Sequence, residues 1–171
     1  MFSPDVYWAP TTPPKRLAFG PRPRGGDWLA DEIAGYRSLG FSHVVSLLER
    51  QEIVELALTD APALCAQSGL RFHNFPIVDR SVPASMASAR AFVDALAKCF
   101  LRGEGIYVHC RAGIGRSATI SAALMLRLGN KNPDDVLECL GTVRGFPVPD
   151  TEAQTLWLYE FASTLTTSID A

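Results

Sequence analysis

The stretch YVHCRAGIGRS, from Tyr107 to Ser117, joins two strongly apolar segments. The first, GIYVH, is short and rich in β-branched and aromatic residues, which predicts a buried strand. The second, SATISAALMLRL, is apolar on all sides at helical spacing, which predicts a helix in the centre of a domain. The stretch therefore marks a strand–loop–helix junction. A helix that begins there directs its positive end at the loop and favours a bound anion.

The residues of this loop suit phosphate-transfer chemistry. Cys110 is placed as a nucleophile, because loop amides and a helix end favour the thiolate, which is the reactive form of cysteine. Gly113 and Gly115 allow the backbone to curl until its N–H groups converge. Arg116 can bind two phosphoryl oxygens at once through its planar guanidinium group. Ser117 can donate a hydrogen bond to the sulfur and so help the thiolate to depart from a phosphocysteine.

The other loop residues are expected to order and shape the site. His109 should bond backbone groups rather than act as a base, because its side chain points away from that of Cys110 on a strand. Arg111 and Ile114 should point outward and shape the mouth. The predicted phosphate-binding set is Arg111, Ala112, Gly113, Ile114, Gly115 and Arg116.

A phosphate monoester also needs a proton donor, because its leaving group is an alkoxide or a phenoxide. Asp79 follows a predicted strand that precedes the one ending at Cys110. An aspartate after a strand is commonly a turn or cap residue, so the residues alone leave this role open. Glu49 and Glu52 also follow a strand end, and we interpret them mainly as cap and surface residues.

The elements along the chain predict one α/β domain with a central, mostly parallel sheet flanked by helices. Residues 1–26 are rich in proline, glycine and arginine, and they predict an irregular arm that packs on the domain or leads into it, with two short strand candidates, 6–8 and 17–19. Residues 27–171 are the predicted domain. Within it we expect a helix over 51–68 that is broken by Pro62 and a strand over 71–78. Sites in such sheets lie at the carboxyl ends of strands, where Cys110 and Asp79 both fall.

Composition and charge limit the partners and cofactors. Of the 171 residues, 47% are hydrophobic and 20% are charged, and the net charge of −2 predicts neither nucleic-acid nor membrane binding. The start of the chain does not resemble a secretory signal. Histidine and carboxylate residues show no metal-ligand spacing, so we expect no metal or other cofactor. Cys65, Cys99, Cys110 and Cys139 form no C-x-x-C pair, which predicts reduced thiols in the cytoplasm, the first, second and fourth of them in the core.

The sequence His109-Cys110-x-x-Gly113-x-x-Arg116-Ser117 resembles the signature of the cysteine-dependent protein phosphatases. The segment PIVD at 76–79 resembles the loop that carries their general acid, which assigns that role to Asp79. The resemblance extends over about residues 35–161. It is nearest to the dual-specificity type and to the kinase-associated phosphatases, with further matches at Arg144, Gly145 and Gln154.

This resemblance implies a metal-independent hydrolase that acts through a phosphocysteine intermediate. It implies phosphoprotein or phosphopeptide substrates, with phosphotyrosine and also phosphoserine or phosphothreonine accepted, and we expect a monomer. A phosphoinositide or an RNA 5′ phosphate remains an alternative substrate, although Ile114 lacks the positive charge that inositide phosphatases commonly carry there. A non-catalytic phosphate-binding module and a thiol redox or sulfur-transfer protein also remain open. The basic residues of the arm predict either a polyanion-attracting rim or a solvated lead-in.

Overall fold

The computed structural model describes residues 3–130 and 132–165, so parts of the predicted arm and of the predicted domain, at 1–2, 131 and 166–171, lie outside the described residues. The strands are β1 (Tyr7–Trp8), β2 (Leu17–Gly20), β3 (Phe41–Ser46), β4 (Arg71–Asn74) and β5 (Gly105–His109). The α-helices are α1 (Leu29–Ser38), α2 (Arg50–Glu55), α3 (Ala61–Gln67), α4 (Met86–Leu101), α5 (Arg116–Arg127), α6 (Pro133–Arg144) and α7 (Glu152–Ser163). A short 3-10 helix, Gly26–Trp28, leads into α1.

The strands form one sheet in the order β1-β2-β5-β3-β4. The four strands β2, β5, β3 and β4 are parallel, and β1 pairs with β2 in the antiparallel direction. His109 lies opposite Gly20 on one side and Ser46 on the other, so three strands end at the same edge. The predicted α/β fold with a mostly parallel sheet is confirmed. Its carboxyl edge is where ligands bind in such sheets.

Helices cover both faces of the sheet, as expected for parallel strands that are apolar on both sides. On one face, α1 and α3 contribute Ile33, Tyr36 and Cys65 to a core cluster that includes Tyr107 of the sheet. On the other face, α4, α5, α6 and α7 pack around the larger cluster. Helix α5 lies in the middle of that layer, and its residues 116–126 are all buried. The expected central helix after the Cys110 segment is confirmed.

The segment 1–26 contributes two strands to this sheet. The strand candidates predicted there are β1 and β2, and β2 lies between β1 and β5 rather than on a separate arm. Leu17, Ala18 and Phe19 are fully buried because both faces of β2 pack against helices or strands of the core. The described part of this segment is therefore irregular only outside these strands, and the sheet is incomplete without them.

Two predicted elements differ from the observed ones. The helix expected over 51–68 is two helices, and Pro62 lies in the first turn of α3, where its missing N–H costs nothing. The strand expected over 71–78 ends at Asn74. Beyond it, the backbone N–H groups of Phe75 and Ile77 still bond the end of β3, but Pro76 between them has no N–H to donate. The chain then leaves the sheet as a loop.

Among the described residues, no helix combines the length and the apolar character that crossing a lipid bilayer requires.

Candidate active site

The loop that connects β5 to α5, residues 110–116, is called the Cys110 loop here. Its first residue stands at the carboxyl edge of the sheet, and Cys110 is only 3% exposed. The Sγ atom of Cys110 lies 3.3 Å from the Oγ atom of Ser117, so the hydroxyl can donate to the sulfur when it is a thiolate. Both residues precede or open α5, whose positive end points at the same place.

Four successive carbonyl groups of the Cys110 loop are bound from outside the loop. The donors are Nδ1 of His109 for Cys110, the backbone N–H of Arg22 for Arg111, and the guanidinium group of Arg144 for Ala112 and Gly113, at 2.9 to 3.3 Å. The C=O and N–H groups of a trans peptide point in opposite directions. The N–H groups of residues 111–114 therefore face the inside of the loop, where they form a cradle for an anion.

Gly113 is the loop position where only glycine fits. Its φ angle of +71° lies in the left-handed region, and an added Cβ atom would lie 2.3 Å from the backbone carbon of Gly20. The end of β2 therefore forms a wall against the Cys110 loop. The sequence pattern predicted the flexibility of this glycine, whereas the contact with Gly20 is a tertiary feature.

Arg116 is 2% exposed and is held by Glu52 from α2. The Glu52 carboxylate accepts from Nη1 and Nη2 of Arg116 at 2.7 and 2.9 Å, and the Ile77 carbonyl accepts from Nη1 at 3.0 Å. Glu52 also accepts from the backbone N–H of Glu49, which completes the capping box of α2. The cap interpretation of Glu52 is correct, but the surface interpretation is wrong, because α2 turns its carboxylate inward onto a buried guanidinium group.

This buried pair keeps Glu52 ionised. Burial alone would raise the pKa of Glu52, but the hydrogen bonds from Arg116 and Glu49 and the charges of Arg116 and Arg111 hold the pKa below its usual value. Burial likewise opposes the charged form of Arg116, and Glu52 and the nearby Cys110 and Asp79 raise the pKa of its guanidinium group. Arg116 is thus fixed as a cation next to Cys110.

Asp79 lies in the loop of residues 75–85 between β4 and α4, which is called the Asp79 loop here. Its Oδ1 atom is 2.9 Å from Nη2 of Arg116, and its side chain is 61% exposed. The loop is fastened to the start of α7: Arg80 forms an ion pair with Asp150 at 3.2 Å, and Nε2 of Gln154 donates to the Ser81 carbonyl at 3.1 Å. The structure therefore brings the Asp79 carboxylate into contact with the guanidinium group of Arg116, the last residue of the Cys110 loop.

His109 is buried behind the loop. Burial lowers its pKa to about 4, and the hydrogen bond to the Cys110 carbonyl opposes that shift without overcoming it. The imidazole is therefore neutral near pH 7, with Nδ1 as the donor to the backbone. This geometry agrees with the expectation that His109 bonds backbone groups.

Arg111 and Ile114 lie on the outer side of the Cys110 loop to different degrees. Arg111 is exposed and forms an ion pair with Glu55 at 3.3 Å, with Glu52 further away at 4.0 Å. Ile114 is half-buried and packs against the larger core cluster. Arg111 is thus exposed on the outer side of the loop, whereas the side chain of Ile114 is partly buried by packing.

Sequence reasoning missed the pairing role of Glu52 and the loop-binding role of Arg144. Arg144 had been noted only as part of a resemblance, and Glu52 only as a cap. In each case the partner is far along the chain: Glu52 is 64 positions from Arg116, and Arg144 is 31 positions from Gly113. No local pattern reports such a contact.

A family model described as the DSP-PTPase phosphatase of polymorphic toxin systems (Tc-R-P) matches residues 22–130, which is more than half of the chain. The chain belongs to this family. The matched segment begins just after β2 and includes the Asp79 loop, the Cys110 loop and α5.

Two relatives of this DSP-PTPase show how far sequence similarity extends. Cyclin-dependent kinase inhibitor 3 of Rattus norvegicus is 29% identical over 130 residues, covering 75% of this chain but only 61% of the relative. The phosphatidylglycerophosphatase and protein-tyrosine phosphatase 1 of Mus musculus is 30% identical over 78 residues, covering 46% of this chain and 40% of the relative. The chain therefore spans about three-fifths of the first relative and less of the second.

Solved structures agree with the fold. The crystal structure of kinase associated phosphatase (KAP), with a serine in place of its catalytic site cysteine, superposes with a TM-score of 0.86 and 22% identity over 96% of this chain and 97% of that one. The crystal structure of PTPMT1 gives a TM-score of 0.74 and 25% identity over 89% of this chain and 92% of that one. The DSP-PTPase thus shares its architecture with both.

One further cluster of polar side chains lies at the opposite edge of the DSP-PTPase sheet. Possible metal-ligand atoms of His43, Cys99 and Glu104 lie within 4.8 Å of one another. However, Arg71 and Arg102 both donate to Glu104, at 3.2 and 2.9 Å, and Arg102 also donates to Cys99. These two cations account for the cluster as an ion-pair network, and they repel a metal ion from its carboxylate.

The other cysteines of the DSP-PTPase differ from one another. Cys65 is fully buried in the core, and burial raises its pKa to about 12. Cys99 is half-buried. Cys139 is exposed, which corrects the expectation of a core thiol: on α6, the inward positions are Val136 and Leu140, and Cys139 lies between them on the solvent side.

Proposed function

We propose that this DSP-PTPase hydrolyses phosphate monoesters of phosphoproteins through a phosphocysteine intermediate. The observation that carries the proposal is the convergence of two loops at the buried Arg116 cation: the Asp79 carboxylate of the Asp79 loop lies 2.9 Å from its guanidinium group, and Cys110 of the Cys110 loop is close enough to act on the same charge. Membership of a phosphatase family supports the same reaction. We further propose phosphotyrosine and phosphoserine or phosphothreonine as the groups removed.

In the first step, the Cys110 thiolate attacks phosphorus and the bond to the leaving oxygen breaks. The inward N–H groups of residues 111–114 and the Arg116 guanidinium group bind the phosphoryl oxygens, whose charge is distributed over them in the transition state. Asp79, in its protonated form, gives its proton to the leaving oxygen. The products of this step are an alcohol or phenol and a phosphocysteine.

In the second step, water attacks the phosphocysteine. Asp79, now a carboxylate, takes a proton from this water, and the phosphorus–sulfur bond breaks. The sulfur leaves as a thiolate, which the hydroxyl group of Ser117 stabilises from 3.3 Å. Inorganic phosphate is released, and no metal or other cofactor takes part in either step.

Phosphate binding requires an exchange of partners at Arg116. Glu52 occupies one side of the guanidinium group, so Nε and Nη2 are the nitrogens that a phosphoryl group would bind as a fork. Asp79 Oδ1 now lies 2.9 Å from Nη2. We infer that a phosphoryl oxygen takes this place and displaces the Asp79 carboxylate toward the leaving oxygen.

We propose a cytoplasmic monomer that acts on phosphoproteins rather than on nucleic acids or membranes. The sequence similarity to cyclin-dependent kinase inhibitor 3 and the net charge of −2 support this choice. A phospholipid headgroup is the second candidate, because a shorter segment resembles a phosphatidylglycerophosphatase and because PTPMT1 has been crystallised in complex with PI(5)P.

The test is phosphate release in the presence of EDTA from one panel of substrates. The panel contains phosphotyrosine and phosphothreonine peptides, PI(5)P, 5′-triphosphate RNA and an aryl phosphate with a good leaving group. We expect turnover of the peptides by the wild type and none by Cys110→Ser. Cys139→Ser is the matched control, because it makes the same substitution at an exposed cysteine. Asp79→Ala should lower kcat on peptides by roughly 10²–10⁴-fold and much less on the aryl phosphate.

Several results would contradict the proposal. If Cys110→Ser turned over substrate at the wild-type rate, Cys110 could not be the nucleophile. If Asp79→Ala lost the same factor in kcat on all substrates, Asp79 could not be the general acid. A kcat/KM that is highest for PI(5)P or RNA would keep the chemistry and replace the substrate class. A protein that binds phosphate but turns over no member of the panel would be a binding module.

A further inference from the structure

A cleft of about 420 Å³ opens directly beside the Cys110 loop. One wall comes from the chain before α1, another from α1 itself, and a third from the loop. Apart from Pro21, its lining residues are all charged or polar: Ser3, Asp5, Arg22, Arg24, Glu32, Tyr36 and Arg111. Three of these residues are arginines, and in the mechanism above none of their guanidinium groups binds the scissile phosphoryl group, to which Arg111 gives only its backbone N–H.

Arg22 and Arg111 are held side by side by the backbone. The N–H of Arg22 donates to the Arg111 carbonyl at 3.3 Å, and Pro21 and Ala112 form an antiparallel bridge next to it. Arg22 also acts on the site through its charge: besides burial and Arg116, it contributes to the lowered pKa of His109. The segment after β2 therefore places a second cation beside the residue that follows Cys110.

The charges in the cleft divide into a paired and an available part. Arg24 forms an ion pair with the nearly buried Glu32 and stacks over the Trp28 ring, so these two charges cancel each other. Arg111 pairs with Glu55, but both side chains are about half exposed. Such a surface pair contributes at most about 1 kcal/mol, so an anion that arrives with a substrate can replace Glu55.

We propose that Arg22 and Arg111 form a second anion subsite that binds the side-chain carboxylate or phosphate of a residue flanking the phosphorylated residue of a protein substrate. This inference rests on the proposed function, because it needs a peptide in the Cys110 loop. Asp5 is exposed at the rim and repels further negative charge. The subsite should therefore prefer a substrate with a single anion next to the loop to a substrate with a long acidic tract. Part of the basic segment 1–26 thereby becomes substrate surface.

The test compares kcat/KM for three versions of one phosphotyrosine peptide, with glutamate, phosphoserine or glutamine at the two positions before and the two after the phosphotyrosine. The rate followed is dephosphorylation of the tyrosine. For the wild type we expect the glutamate and phosphoserine peptides to exceed the glutamine peptide by roughly three- to tenfold, between the values for exposed and for buried charged contacts. In Arg22→Ala this ratio should fall toward one, and in Arg22→Glu below one.

The substitution at Arg22 removes the bond from its Nη1 to the neighbouring Pro23 carbonyl at 2.8 Å but keeps the anchor to the Cys110 loop, because the bond to Arg111 uses the backbone N–H. Arg22→Lys should restore part of the ratio. Arg71→Ala is the control for net charge: it also removes one arginine, an exposed one that pairs with Glu104, at the amino end of β4 on the opposite edge of the sheet. The wild-type ratio should decrease at a salt concentration of about 0.5 M, since exposed charges are screened.

The outcomes separate this inference from the proposed function. Equal kcat/KM for the three peptides in the wild type, or an unchanged ratio in Arg22→Ala, would overturn the subsite while leaving the phosphatase reaction intact. The same loss of the ratio in Arg71→Ala would also overturn it, because the effect would then be one of net charge. No turnover of any peptide would overturn both the subsite and the proposed function.

Discussion

At the scale of single residues, the pair of Glu52 and Arg116 determines whether the site can form. A guanidinium group that is 2% exposed requires a counter-charge, and removing one partner of a buried ion pair typically costs about 3–5 kcal/mol. Glu52 supplies that charge and also orients the group, since each of its oxygens accepts from a different nitrogen. The same carboxylate caps α2, so the position of the helix and the position of the arginine depend on each other.

We predict that Glu52→Gln lowers kcat on phosphotyrosine peptide on the order of tenfold, because a neutral amide cannot fix the guanidinium group as two charged hydrogen bonds do. The loss should appear with the aryl phosphate as well, since the phosphoryl group is common to both substrates. Steady-state kinetics on the two substrates measure this effect. Glu160→Gln, at an exposed position of α7, is the control.

The same variant should change the acid sensitivity of the fold. The pKa of Glu52 is lowered in the folded chain, so its ionised form stabilises the fold above the ordinary glutamate pKa of about 4.3, and this contribution is lost as the pH falls through the lowered value. In the wild type, the free energy of unfolding should decline below about pH 4.3 in part because Glu52 becomes protonated. The Glu52→Gln variant should lack this part of the decline. Identical pH profiles and unchanged kcat would contradict the role given to Glu52.

At the scale of elements, the start of α7 links the two loops of the site. Gln154 is fully buried; its Oε1 atom accepts from the backbone N–H groups of Asp150 and Thr151, and its Nε2 atom donates to Ser81 in the Asp79 loop. An added Cβ atom on Gly115 would lie 3.0 Å from the same amide. One side chain therefore caps a helix, binds the Asp79 loop and leaves little room for a side chain at Gly115 of the Cys110 loop.

We predict that Gln154→Glu separates these two roles. A carboxylate still accepts from the α7 backbone, but when ionised it cannot donate to the Ser81 carbonyl, so the Asp79 loop loses one of its two bonds to the start of α7 and keeps only the ion pair of Arg80 with Asp150. We expect kcat on phosphothreonine peptide to fall by about tenfold, since small misplacements of a reacting group are costly. The fall on the aryl phosphate should be smaller, because a good leaving group needs less help from the acid. Equal losses on both substrates would show that Gln154 acts on the fold in general.

At the scale of the whole molecule, the segment 1–26 completes the sheet. β2 pairs with β5 along its whole length and separates it from β1, and the Gly20 backbone contacts Gly113 in the Cys110 loop. Without this strand, the apolar side chains of β5 and α5 would be exposed on that side. The arm predicted from composition is thus the part of the chain that closes the core and one wall of the site.

We predict that a chain that begins at Asp27 does not fold cooperatively. Loss of the buried Phe19 side chain alone costs about 3–5 kcal/mol, against a total stability of roughly 5–15 kcal/mol for a domain. Thermal unfolding followed by circular dichroism should show no sharp transition for the truncated chain, and Phe19→Ala should unfold at a lower temperature than the wild type. A truncated chain with a wild-type transition would contradict the role of β2.

Much of the fold and the centre of the site could be predicted because they depend on local patterns. The five residues of the signature all lie within the nine positions His109–Ser117. The strand before them and the helix after them have the apolar pattern of buried elements. The bounds of α6 are local features too, because Pro133 at its first position and Gly145 at its C-cap begin and end helices for reasons of backbone geometry. The end of β4 was missed because the expected strand ran through Pro76, which has no N–H to donate between the bonds of Phe75 and Ile77.

The sequence by itself determined the α/β class, the strand–loop–helix junction, and the placement of Cys110, Arg116 and Ser117 within one short segment, because neighbours along the chain define them. Only the tertiary structure decided that Glu52 neutralises Arg116 and that Arg144 holds the loop carbonyls. It also decided that the segment after β2 places Arg22 beside Arg111, although the two are far apart along the chain. These contacts join segments that are brought together by the burial of apolar strands and helices, and this burial, rather than any local preference, selects which polar partners meet.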